Sequence, residues 1–264
     1  MRAGAEFPVA EAPGSTTTSA LPEPVTSQAV RAQLRLREMV LAGELAGGAR
    51  IAELAIVELL GVSRTPIRAA LMRLEQEGLL EALPNGGYAV RIFSERDVSE
   101  AIELRGTLEG LCARLAAERG APPVVINEAR ACLKEIDLLV SHPALDDEAF
   151  SRYVALNEKF HALLAEMAGS DVIGKELARV SGLPFASASA FVINQANSPR
   201  ARDLLMVAQD QHWQVLDAID QREGTRAESL MREHSRIAQR NLREAVNSQR
   251  SDRMPGVRLI RKRG

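Results

Sequence analysis

Residues 60–80 read LGVSRTPIRAALMRLEQEGLL. Gly61, Val62 and Ser63 form a three-residue turn, and a helical pattern then runs from Arg64 to about Glu77, where Gly78 ends it. Ser63 stands where an N-cap is wanted. Pro66 falls in the first turn, where its missing N–H costs little. Ile67, Ala70, Leu71 and Leu74 make one apolar stripe, while Arg64 and Arg68 lie one turn apart on another face. Upstream, Ile51 to Leu60 reads as a second helix and residues 28–43 as a first, closed by the glycine-rich AGELAGG. Downstream, LLEALPNGGYAVRI (79–92) sets two β-prone runs on either side of Pro-Asn-Gly-Gly, the signature of a hairpin. Two helices joined by a tight glycine-containing turn and followed by a hairpin predict a helix-turn-helix with a wing. An arginine pair near the N-terminus of the third helix reaches guanine O6 and N7 in a major groove. The helix's exposed first-turn N–H groups attract phosphate. An isolated arginine pair more often only solvates a helix; the turn, the cap and the wing around this one favour DNA.

The 264-residue chain carries 33 Lys and Arg against 35 Asp and Glu, a net charge of −2, which excludes a uniformly basic nucleic-acid coat. Aromatics make up only 3% of residues, which argues against a β-sandwich or a base-stacking platform. Two cysteines, Cys112 and Cys132, build neither a disulfide framework nor a thiolate zinc site. No apolar run reaches about 18 residues and no secretory signal opens the chain, so a soluble cytoplasmic protein without a membrane partner is expected. Residues 1–27, rich in Ala, Pro, Ser and Thr, read as a disordered leader. Residues 248–264 read as a basic tail, solvated or attracted to phosphate. Ser94 and Asp97 form a capping-box pattern that opens a new helix, so a domain boundary is placed at about residue 92.

Residues 93–247 read as an all-α antiparallel bundle, with helices at 95–119, 122–140, 146–168, 171–195, 199–221 and 223–246. The fold class is therefore mainly α, with one small β-hairpin wing. Four histidines occur. His142 precedes a proline in a loop and carries no signal. The other three lie in apolar stripes: Phe150, Val154, Asn157, His161, Leu164 and Ala168; Leu205, Ala208, His212, Val215 and Ile219; Leu230, His234, Ile237 and Asn241. A lone histidine on an apolar face is usually a hydrogen-bonded core residue. Three from three helices of one bundle are satisfied together by one divalent cation, and zinc or nickel suits three imidazoles. Arg105 flanks the stripe Ala101, Leu104, Leu108, Leu111 and Leu115. It is either an ion pair with Glu109 one turn on or a clamp for a ligand carboxylate. Tyr153, one turn before Asn157, either lines the same pocket or packs in the core.

The stretch 60–80 and its surroundings, residues 28–92, resemble the winged helix-turn-helix of GntR-type bacterial transcription regulators. The resemblance implies that Arg64 and Arg68 read operator bases, with Ser63 and Thr65 beside them, and that a wing-tip glycine, Gly86 or Gly87, approaches the minor groove. Two positions depart from the pattern: Asn85 stands where a basic wing residue is common, and Ala69 stands where a Glu usually follows the second arginine. Over 28–92 there are eight Lys and Arg against seven Asp and Glu, so few phosphate contacts are expected and affinity leans on dimerisation. The helical part is similar to the FCD effector-binding domain of the FadR subfamily. Its metal-binding members carry an acidic residue, a histidine four residues on and two further histidines, here Asn157, His161, His212 and His234. Asn157 replaces the acid, which lowers metal affinity and favours an anionic ligand; the alternative is a metal-free pocket that hydrogen-bonds its ligand through Asn157. EAIELRGTLEGLCARLAAERG (100–120), RYVALNEKFHALLAEMAG (152–169) and LPFASASAF (183–191) resemble the vanillate-responsive repressor branch, which implies an aromatic carboxylate. The expectation is a homodimeric repressor on a palindromic double-stranded DNA operator. A small carboxylate held by Arg105, Tyr153, Asn157 and Asn241 would release it, beside a divalent metal. Two rivals are a regulator whose signal is the metal itself and a three-histidine hydrolase. The hydrolase lacks a placed base, since Glu158 points about 100° away from Asn157 on an ideal helix.

Overall fold

The computed structural model describes residues 25–142, 146–190, 201–247 and 256–261. The leader expected over 1–27 lies outside them up to residue 24, and helix α1 (Val25–Ala42) opens three residues before the expected start. Helices α2 (Glu53–Leu60) and α3 (Arg64–Gln76) follow, with Gly61 closing α2 through its N–H to Val57 O. The second helix was expected from Ile51. Instead Arg50–Ile51 is strand β1, antiparallel to β3 (Tyr88–Val90), which also pairs with β2 (Leu80–Ala82). The wing is therefore a three-stranded sheet in the order β1-β3-β2. Ile51 is apolar, and from its place on the strand opposite Tyr88 its side chain (4% exposed) joins the core formed with Leu36, Ile56, Ile67 and Leu71.

Ser63 occupies the N-cap position of α3 without a side-chain cap bond. A capping hydroxyl bonds the N–H at the second or third helical position, and the third is Pro66, which has none. The capping box at Ser94 forms as expected: Asp97 N donates to Ser94 Oγ and Ser94 N donates to Asp97 Oδ2, both at 3.0 Å.

Beyond β4 (Phe93–Ser94), helices α4 (Glu95–Arg119), α5 (Pro123–Ser141), α6 (Asp147–Met167), α7 (Asp171–Ser181), α8 (Ala201–Asp220) and α9 (Gly224–Asn247) form the bundle. The fourth bundle helix was expected to reach 195 but stops at Ser181. Gly182-Leu183-Pro184 breaks it, because proline disfavours helix at the preceding residue and removes a donor. Residues 182–190 run on as turns, and 191–195 lie outside the described residues.

The buried face of α4 also differs from expectation. Leu104 is 45% exposed and Leu108 and Leu115 are only half-buried, whereas Ile102, Arg105, Glu109, Cys112 and Ala116 face inward. Gly106 and Gly110 explain the rotation. A Cβ on Gly106 would lie 2.1 Å from Ser235 Oγ, and one on Gly110 2.8 Å from Arg232 Cγ. The small face of α4 is pressed on α9, and the leucines turn outward.

The tail is not simply solvated. A one-turn 3-10 helix, Val257–Leu259, leads into β5 (Ile260–Arg261), which pairs parallel with β4 through Phe93↔Ile260. Val257, Leu259 and Ile260 join one core with Leu36 and Val40 of α1, Ile67, Leu71 and Leu74 of α3, Ile102 of α4 and Leu242 of α9. This core packs α1 and α3 onto the base of the bundle. The rest of the tail, 248–255 and 262–264, lies outside the described residues. No helix among the described residues is long and apolar enough to cross a membrane.

Candidate functional sites: an exposed arginine helix and a buried histidine cluster

On α3, Ser63, Arg64, Thr65 and Arg68 are all exposed while Pro66 and Ile67 are buried, so the first turn presents its polar side outward. Arg68 Nε lies 3.6 Å from Glu53 Oε2 of α2, and both side chains are solvent-accessible. Such a pair is worth about 0–1 kcal/mol and yields readily to a stronger acceptor. At the wing tip Gly86 and Gly87 are exposed with φ of +82° and +85°, a backbone that residues with a Cβ rarely adopt. Arg50 Nη2 donates to Gly86 O at 3.0 Å and ties the tip to β1. The sequence reading missed Arg50, whose only signal was a lone charge before an apolar residue.

The three histidines of the bundle meet. His161 on α6, His212 on α8 and His234 on α9 are buried, and one ring nitrogen from each lies within 4.8 Å of the others. His212 Nε2 and His234 Nε2 are 3.2 Å apart. Each outer nitrogen faces an oxygen. His161 Nδ1 lies 2.7 Å from Glu109 Oε1, His212 Nδ1 lies 3.3 Å from Gln209 Oε1, and His234 Nδ1 lies 3.3 Å from Gln211 Oε1. The Gln209 amide is oriented by its own donor end, which reaches Leu133 O and Asp137 Oδ1, both at 2.8 Å. A hydrogen on Nδ1 of His212 follows, leaving Nε2 as a lone pair. The 3.2 Å between the two Nε2 atoms is bridged either by a hydrogen on His234 Nε2 or by a cation. His161 Nε2 is buried with no hydrogen-bond partner among the described residues, a costly state for a polar atom. Burial, and then the charge of neighbouring histidines, pushes the pKa of His212 and of His234 well below the ordinary histidine value. Both are therefore neutral, the form that binds a metal. The donor set fits a divalent ion: three imidazoles, each backed by an oxygen on its far side.

Arg105 and Glu109 are 1% and 2% exposed, and Arg105 Nη1 donates to Glu109 Oε2 at 2.5 Å. The ion pair read from the sequence is present and is buried. Burial opposes the charge on Glu109, but Arg105 and His161 outweigh it and hold the carboxyl at about 2. Arg105 Nε is buried without a partner among the described residues. Arg105, Tyr153, Asn157 and Asn241 line one cavity with His234, about 20 Å³ in volume, so the four residues singled out for a ligand do come together. The amide of Asn157 donates to Ser189 Oγ at 3.2 Å, and Ser189 in turn donates to Val154 O at 3.4 Å. Ala188 and Ala190 close the cavity on that side. Exposed His142 stands apart from the cluster at the end of α5. Cys112 and Cys132 are free buried thiols, and burial raises both, Cys112 to about 12.

The segment that walls the cavity also touches the arginine-bearing half. Leu183 and Pro184 lie 3.7 Å from where a Cβ on Gly78, just past α3, would sit. The Phe185 ring stands edge-on to Phe93 at 5.5 Å, and Phe185 holds a left-handed φ of +65°.

An exposed-arginine winged helix-turn-helix joined to a helical domain with a buried polar pocket defines a DNA-binding regulator as a class. The comparisons place the chain within it. Residues 28–90 match the gntR family of bacterial regulatory proteins and residues 100–236 match the FCD domain. An HTH-type transcriptional regulator from an unstable DNA locus of Streptomyces ambofaciens is 32% identical over 77% of this chain and 80% of its own. The HTH-type transcriptional repressor RspR of Escherichia coli is 25% identical over 87% and 93%. The solved structure of E. coli McbR/YncC covers 83% of this chain and 99% of its own with a TM-score of 0.60 at 18% identity, a likeness of fold. The chain belongs to the GntR family of bacterial regulators, with an FCD domain, as the sequence resemblance implied. It is a DNA-binding transcription regulator, and the family is not one of enzymes.

Proposed function

We propose that the chain is a homodimeric repressor that is released from a palindromic operator by a small carboxylate bound beside a divalent metal, zinc or nickel. The observation that carries the reading is the convergence of three buried imidazoles, one of which has an Nε2 without a partner among the described residues. His161, His212 and His234 hold the ion, and Asn157 offers it a neutral amide oxygen, its nitrogen being taken by Ser189. Arg105, Tyr153, Asn157 and Asn241 hold the carboxylate, with Arg105 Nε as the waiting donor. Arg64 and Arg68 read bases, Ser63 and Thr65 bind phosphate, and Gly86 and Gly87 bring the wing tip to the minor groove. With charge nearly balanced over 28–92, one such surface binds weakly, and a twofold dimer supplies two. RspR, a relative, is named a repressor, which supports that sign of regulation.

A cavity of about 20 Å³ holds a group of about water size. An aromatic or other larger acid needs one wall of the cavity to yield, and Ala188 and Ala190 belong to the wall that is not helical. The same segment carries Leu183 and Pro184 to the end of α3 and Phe185 to Phe93, so the displacement reaches the DNA-reading helix by direct contact. The small volume also favours a second reading, in which the metal alone is the signal.

The test is a thermal-shift screen of metal-loaded protein against vanillate and related aromatic acids, lactate, malonate, gluconate, citrate and fatty acids. A true ligand at 100 times its Kd stabilises by about 2.7 kcal/mol. The expected result is one acid that stabilises wild type and loses its effect in Arg105→Ala. Stabilisation by metal with no response to any acid would favour the metal-signal reading. No response to metal would remove the metal from the account.

A further inference from the structure

Glu109 is a buried carboxylate with both oxygens committed, one toward His161 Nδ1 at 2.7 Å and one from Arg105 Nη1 at 2.5 Å. A buried ion pair of this kind gives little net stability, since desolvation offsets most of the attraction. Its geometry says more. An ionised carboxylate only accepts hydrogen bonds, so the nitrogen facing it must carry the hydrogen. In the neutral ring that leaves Nε2 of His161 bare, and Nε2 has no hydrogen-bond partner among the described residues. The His161 ring centre lies 5.4 Å from that of His212 and 5.3 Å from that of His234.

We propose that Glu109 is the positioning residue of the histidine site: it keeps the His161 proton on Nδ1 and the bare Nε2 toward His212 and His234, and Arg105 pins the carboxylate for that task. The inference rests on the reading of the histidines as a metal site. It also gives Arg105 a role that no ligand in the adjoining cavity is needed to explain.

Glu109→Gln separates this from a purely structural role. A glutamine amide has one accepting end, and Arg105, which only donates, takes it. The NH₂ end then faces His161 Nδ1, which must accept, so the ring proton moves to Nε2 and the metal position is lost. The experiment is nickel titration calorimetry on the full-length wild type, His212→Ala and Glu109→Gln. It is joined to nitrogen-15 NMR of the histidine tautomers in metal-free protein, with the His161 signal assigned through His161→Asn. The expected result is no nickel binding in His212→Ala and roughly 10–100-fold weaker binding in Glu109→Gln. His161 is expected as Nδ1–H in wild type and Nε2–H in Glu109→Gln. Unchanged nickel affinity in Glu109→Gln would overturn the inference and leave the metal reading standing. A wild type that binds neither nickel nor, in the same titration, zinc would overturn both. The wild-type tautomer decides without any variant: a His161 proton on Nε2 contradicts the proposal.

Discussion

At the scale of residues, burial makes two histidines sensors of acid. His212 and His234 stay neutral in the folded protein because burial holds their pKa well below the ordinary value. In the unfolded chain they take up protons below about pH 6.5. The unfolded state then binds more protons, so stability present above that pH is lost as pH falls. Two such groups give a slope of at most about 2.7 kcal/mol per pH unit. Glu109, held at about 2, adds a separate loss only at lower pH, between the ordinary glutamate range and that value. Urea unfolding of metal-free protein between about pH 7.5 and 5.5 should therefore show a falling midpoint, steeper than in His212→Gln. A flat profile would mean that the histidines are hydrated. On α3, Arg68→Ala should cost about 1–3 kcal/mol of specific DNA affinity with unchanged thermal stability, because its contact with Glu53 is exposed. Loss of folding instead would assign Arg68 a structural role. Much of this scale was legible in the sequence. The three stripes placed the histidines inward, and the i,i+4 spacing announced Arg105–Glu109. The contacts of His161 Nδ1 with Glu109 and of His234 Nδ1 with Gln211 cross between helices, and no local spacing records them.

At the scale of elements, the close approach of α4 and α9 is set by Gly106 and Gly110. Ser235 Cβ lies only 2.4 Å from where a Cβ on Gly106 would be, and rotating the serine hydroxyl does not relieve that. Gly106→Ala should cost about 1–3 kcal/mol through overpacking, read as a lowered urea midpoint; a neutral effect would show that the helices slide apart freely. Leu259, 1% exposed within the core beneath the DNA-reading helices, predicts a loss of about 2–5 kcal/mol on Leu259→Ala. A solvated tail would give no change in Tm. The sequence reading placed the leucines of α4 inside because periodicity weighs hydrophobicity, not closeness of backbones. It missed β5 because a strand of two residues, Ile260–Arg261, has no period to read. It overran α7 despite Pro184, while the winged helix-turn-helix stood out through its turn, caps and hairpin.

At the scale of the whole molecule, the DNA-reading helices and the bundle share one core, which includes Leu71 of α3, Ile102 of α4, Leu242 of α9 and Leu259 near the C-terminus. Strain in residues 182–190 therefore has somewhere to go. Phe185 in its left-handed backbone stores about 1–3 kcal/mol and packs on Phe93 at the junction. Phe185→Ala should leave ligand affinity close to wild type and weaken the coupling between ligand and DNA, a coupling typically of about 1–3 kcal/mol.

The central claim is that a carboxylate in the helical domain controls grip on DNA. It is tested most directly by fluorescence anisotropy of a duplex selected from a random pool, bound to metal-loaded full-length protein and titrated with the acid that stabilises it. The account predicts that the acid raises the Kd for the duplex, and that the duplex raises the Kd for the acid by the same factor. An acid that binds the protein while the Kd for the duplex stays fixed would contradict it.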